Sequence, residues 1–153
     1  MGIREIIFRG KRVDNGEWVE GDLRQFNPYG INYKNGKGKV TWIIFDNGTN
    51  GGIECEVIPE TVGQYTGLTD KNDKKIFEGD ILSEKPPMNE TAYIGYVAYD
   101  NELAVWRFMI KNDTEFNGVL LGSYSTSYTV ISNIHDNPEL LEVHNVTENR
   151  DSM

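Results

Sequence analysis

The chain has very little of several things, and each shortage excludes a class of protein. It has one cysteine, Cys55, so it can form no disulfide within itself. It has two histidines, His135 and His144, nine positions apart, which is no zinc-ligand spacing beside a single cysteine. No apolar run approaches the roughly 20 residues of a membrane span. The start, Met1 to Phe8, carries Glu5 inside too short an apolar stretch for a secretory signal, and Ile6 stands where a myristoylation signal needs Ser or Thr. Cytoplasmic residence is therefore expected, and the three Asn-x-Thr sequons, at Asn47, Asn89 and Asn145, are then chance matches. Cations are also scarce. Fifteen Lys and Arg face 24 Asp and Glu, a net charge of −9, which argues against a protein held to nucleic acid by overall charge. No long amphipathic helix is present for a helix-turn-helix reader. There is no Gly-x-Ser-x-Gly elbow, P-loop or dinucleotide-binding glycine turn.

Turn residues are abundant. With 16 glycines and five Asn-Gly dipeptides, at 15–16, 35–36, 47–48, 50–51 and 117–118, hairpins are expected, because both residues accept positive φ. Between the turns the residues alternate as in half-buried strands. Val40, Trp42 and Ile44 alternate with Thr41, Ile43 and Phe45, and Ile53, Cys55 and Val57 with Glu54, Glu56 and Ile58. Cys55 thus falls on an apolar face as a small buried hydrophobe. Tyr93 to Tyr99, Ala104 to Ile110, Val119 to Leu121 and Tyr128 to Ser132 read as further strands. Asn137 as N-cap, Pro138 and Glu139 open a short C-terminal helix.

One pattern occurs twice. Residues 10–23 and 67–81 each hold a glycine, an Asp/Asn-rich turn, two large apolar residues, then Glu-Gly-Asp and an aliphatic residue. The repeat predicts a hairpin followed by a second sharp turn in both places. Gly10, Gly21, Asp22, Gly67, Gly79 and Asp80 are its turn residues, the glycines supplying positive φ and the aspartates capping amides. The pairs Glu20/Asp22 and Glu78/Asp80 would bind a divalent cation only if the copies met in space.

The class is therefore all-β with a short C-terminal helix. It comprises an N-terminal β region over 1–62, a small bent SH3-like β-barrel over 63–142, and a polar tail over 143–153. Four segments carry a family resemblance: Arg4 to Lys11, Val62 to Asn72, Phe77 to Ile81, and Ile131 to Leu141. Over residues 3–142 the chain resembles the YopX family of small phage and prophage proteins. Ser132 and His135 stand where that family's pattern has Gly and Tyr. The resemblance implies an SH3-like C-terminal half and brings no catalytic residue or cofactor.

A non-enzymatic accessory protein that binds a host or phage protein is the leading expectation, with no cofactor and no membrane. Its acidic surface suits a partner with a basic patch. The alternative is nucleic-acid binding through Lys34, Lys37 and Lys39, the one basic cluster, with aromatics Tyr96, Trp106 and Phe108 of the barrel. Those aromatics serve equally well as barrel core, and the residues leave both readings open. A metal-dependent hydrolase built on the repeated carboxylates comes third. Unpaired strand edges leave self-association open.

Overall fold

Alternating strands broken by glycine-rich turns need antiparallel partners, and the computed structural model supplies them throughout. It describes residues 2–26, 40–46, 48, 50–85, 92–111, 116–122 and 127–142. The protein is all-β, and it divides into two compact units, Met1–Tyr65 and Thr66–Met153.

The first unit holds β1 (Phe8–Lys11), β2 (Trp18–Phe26), β3 (Val40–Phe45), β4 (Ile53–Glu56) and the start of β5 (Gly63–Thr69), in the order β4-β3-β2-β1-β5. All neighbours are antiparallel. Asn15-Gly16 turns β1 into β2 as expected. Gly16 has φ +72° and donates its N–H to the Arg12 carbonyl, while Asn15 Oδ1 accepts from Glu17 N–H. Ile43 and Val57 are fully buried, with Thr41 and Cys55 beside them, so the odd-numbered face of β3 and β4 is the core. Cys55 is buried and free, where the alternation placed it.

Two repeat glycines are not turn residues here. Gly10 lies in β1, where a Cβ would sit 2.9 Å from Val57. Gly21 lies inside β2, where a Cβ would fall on the Ile44 carbonyl oxygen. Asp22 is an exposed strand residue, not a cap. The first Glu-Gly-Asp therefore continues a nine-residue strand, and glycine is required by close strand approach instead of by φ.

In the second unit β5 pairs with β6 (Lys75–Phe77). Then β7 (Asp80–Glu84), β8 (Tyr93–Asp100), β9 (Val105–Lys111), β10 (Phe116–Leu120) and β11 (Tyr128–Asn133) form a five-stranded antiparallel sheet in the order β10-β9-β8-β7-β11. That sheet is open. Among the described residues β10 and β11 are its edges and do not pair, so these strands do not close the expected barrel. Ile76, Leu82, Val97, Phe108 and Tyr128 make the core, with Phe108 and Tyr128 edge-on at 5.3 Å. The second Glu-Gly-Asp is a turn as predicted. Gly79 has φ +84°, and buried Asp80 accepts the Phe77 N–H on Oδ2 at 2.8 Å. Gly67 also has positive φ, +88°, but within β5.

The Asp70–Asp73 turn joins β5 to β6, also as predicted. Asp70 is 5% exposed, and its carboxylate accepts three backbone N–H groups, from Asn72, Lys74 and Val130. Burial pushes the Asp70 carboxyl up. The N–H groups of Val130, Lys74 and Asn72, with the Lys74 charge, outweigh this and bring it below 3.8.

One further turn expectation fails: Asn117-Gly118 is not a turn but lies within β10, opposite Ile110 and Met109. The expected short C-terminal helix is a single 3-10 turn, Pro138–Leu141. Asn137 makes no side-chain cap there: its amide donates to Glu139 Oε1, which lowers that carboxyl, and its Oδ1 accepts from the Ser132 hydroxyl. No helix among the described residues is long and apolar enough to cross a membrane.

The loop from β8 to β9 carries a built-in strain. Asp100 bridges Arg107 at 2.7 Å and accepts the N–H groups of Glu102 and Leu103, and the chain then passes through Ala104 at φ +55°. A left-handed alanine costs about 1–2 kcal/mol, partly offset in glycine by its greater unfolded entropy. Ala104→Gly is thus expected to stabilise the second unit by about 0.5–1 kcal/mol. A raised urea midpoint at unchanged slope would register it.

Candidate binding surface

Because β2 runs unbroken through Gly21, its even-numbered side chains all leave on one face. These are Trp18, Glu20, Asp22, Arg24 and Phe26, and the face is opposite the Ile43–Cys55–Val57 core. Register extends it sideways. Arg9 stands opposite Glu20 and Lys11 opposite Trp18. Asp22 meets Ile44 and then Glu54 across β3 and β4, and Arg24 meets Trp42 and then Glu56.

Of the three large aromatics on this face, Trp18 and Phe26 are held by cations and Trp42 meets Phe26. The Arg9 guanidinium lies 4.8 Å from the Trp18 ring centre and the Lys11 ammonium 5.8 Å. Arg24 lies 5.0 Å from the Phe26 ring, and Phe26 meets Trp42 at 6.4 Å. Arg24 also bridges Glu54 at 3.2 Å, in solvent. The Trp42 indole Nε1 is shielded from water and has no hydrogen-bond partner among the described residues. Glu20, Asp22, Glu54 and Glu56 are exposed along the middle and far side of the face. Four carboxylates thus stand beside three cations and three aromatics. Tryptophan and arginine are the residue types over-represented where proteins bind each other tightly.

The expected site residues are scattered. Phe108 is fully buried and belongs to the core, which removes it from any binding surface. Trp106 packs against that core, with Tyr99 edge-on to it at 4.9 Å and 40% exposed. Tyr96 is half-buried on the other face of β8, opposite Ile81 and Met109. Lys34, Lys37, Lys39 and His144 lie outside the described residues. Asp80 is committed to its turn, and among the described residues no group of three or more His, Cys, Asp or Glu side chains is placed to hold a metal.

Ser132 and His135 sit at the end of β11, where local bonds accommodate them. Ser132 donates to Asn137 at 2.6 Å, and His135 N–H donates to Asn133 Oδ1 at 3.0 Å. The signal for the Trp18–Phe26 face was present in the sequence as plain alternation over residues 18–26. Taking Glu20-Gly21-Asp22 as a turn concealed it.

The model of the YopX protein family matches residues 7–142. The crystal structure of protein EF1440 from Enterococcus faecalis is similar at 24% identity, with a TM-score of 0.45, over 90% of this chain and 98% of that one. No curated protein matches the chain.

Proposed function

The chain belongs to the YopX protein family, and we propose that it is a non-enzymatic module that binds another protein, of phage or host, in the bacterial cytoplasm. The observation that carries this reading is the solvent face of the first unit. There Trp18 is braced by Arg9 and Lys11, Phe26 by Arg24, and Trp42 lies against Phe26, next to four exposed carboxylates. Braced aromatics lose little side-chain freedom on binding, which favours affinity. The carboxylate row suits a basic patch on the partner and predicts association that weakens with salt. Stacked Arg and Trp also suit single-stranded nucleic acid. Glu20, Asp22, Glu54 and Glu56 oppose a phosphate backbone on the same face, so protein is the better match.

The test is a tagged pull-down from phage-infected cells with and without nuclease. A stoichiometric protein partner that survives nuclease and is lost in Trp42→Ala is expected. Partners released by nuclease would favour nucleic acid instead.

A further inference from the structure

Five Asn-Gly dipeptides share one composition, but the fold treats them differently. Asn117-Gly118 is locked in β10, where a Cβ on Gly118 would lie 2.8 Å from both Arg107 and Met109. Asn15-Gly16 sits in an exposed turn with its reacting groups occupied. Gly16 N–H donates to the Arg12 carbonyl at 3.0 Å, Asn15 Oδ1 accepts from Glu17 N–H at 3.0 Å, and Asn15 Nδ2 donates to Glu17 Oε2 at 3.3 Å. Asn50-Gly51 lies in the loop closing the β3–β4 hairpin, exposed at both residues, with open space around the Gly51 α-carbon. Neither its side-chain amide nor the Gly51 N–H makes a hydrogen bond among the described residues. Asn35 and Asn47 lie outside the described residues.

We propose that Asn50-Gly51 is a site of spontaneous covalent modification, at which the asparagine deamidates through a cyclic imide. The deprotonated Gly51 amide nitrogen attacks the Asn50 side-chain carbonyl carbon. A carbon–nitrogen bond closes the five-membered ring, and the bond to Nδ2 breaks, releasing ammonia, which carries away the proton. Water then opens the ring at either carbonyl, giving aspartate or isoaspartate. The sum is amide plus water giving acid plus ammonia, with no change of oxidation state. Glycine matters because a bare α-carbon lets the chain fold back on the side chain without a clash. Each event adds one negative charge to the −9 of the chain, at the hairpin whose second strand carries Glu54 and Glu56. Isoaspartate also inserts an extra backbone carbon into the loop.

The test follows the whole folded protein in mildly alkaline buffer by peptide mapping and mass spectrometry, with a parallel sample in denaturant. Asn50 is expected to convert first, about tenfold or more faster than Asn117, whose strand must open before it reacts. Asn15 should fall between them. In denaturant the three rates should converge, and Asn50→Gln, which would need a larger ring, should remove the early acidic species from the folded protein. Equal rates at Asn50 and Asn117 in the folded protein, conversion at Asn15 ahead of Asn50, or an Asn50 that persists while the denatured chain converts would each overturn the proposal.

Discussion

Gly21→Ala is expected to destabilise the first unit by about 3 kcal/mol or more, whereas Gly79→Ala should cost the second unit only about 1–2 kcal/mol. The two glycines occupy the same place in two copies of Glu-Gly-Asp, yet each is needed for a different reason. At Gly21 the added methyl meets the Ile44 backbone, which cannot move without breaking the β2–β3 ladder. At Gly79 the methyl has ordinary room, 3.5 Å from Ile134, and the penalty is the positive φ of +84°. Asparagine separates the causes, since it tolerates left-handed backbone but is larger than alanine. Gly79→Asn should be milder than Gly79→Ala, and Gly21→Asn worse than Gly21→Ala. Urea unfolding of the four variants checks the pattern. A milder Gly21→Asn than Gly21→Ala would mean that residue 21 is a turn after all.

Asp70→Ala should lower stability by about 3 kcal/mol, because three backbone donors lose a charged acceptor together. Two of them, Asn72 and Lys74, lie on exposed residues and can turn to water, but the Val130 N–H lies within β11. Asp70→Asn retains an oxygen for part of the set and should cost about half as much. The ionised carboxylate is the stabilising form, since its folded pKa lies below 3.8. Its contribution is therefore complete above the unfolded-state value near 4 and is lost as pH falls through the folded value. Asp70→Ala should accordingly flatten the fall in stability below about pH 4 while lowering the plateau above it. A variant with the wild-type plateau would show that the turn does not depend on this carboxylate.

Much of the fold was legible because strand alternation reports burial directly. Cys55 was placed on an inward face by period alone, and the Asp70–Asp73 and Glu78–Asp80 turns by their residue types. Dipeptide identity was a poorer guide, since glycine answers two separate needs. Gly79 answers a need for φ, and Gly21 a need for close approach, and only the second depends on a strand far away in sequence. The same ambiguity made Asn117-Gly118 resemble a turn. It also hid the Trp18–Phe26 face, which exists only because the strand continues past Gly21. In the second unit the sequence marked Trp106 and Phe108 as strand aromatics, but not which face of a sheet looks inward. That depends on what Leu82, Val97 and Tyr128 bring from other strands.

The central claim is that the first-unit face, and not the Tyr99–Trp106 cluster, carries partner binding. It is tested most directly by measuring the affinity of the captured partner for wild type, Trp18→Ala, Trp42→Ala and Tyr99→Ala, with unfolding midpoints recorded for each. Both tryptophan variants should bind about 30-fold or more weakly, as expected for buried anchor residues, while remaining folded, and Tyr99→Ala should bind like wild type. Full affinity in Trp18→Ala and Trp42→Ala, with loss in Tyr99→Ala, would contradict the account.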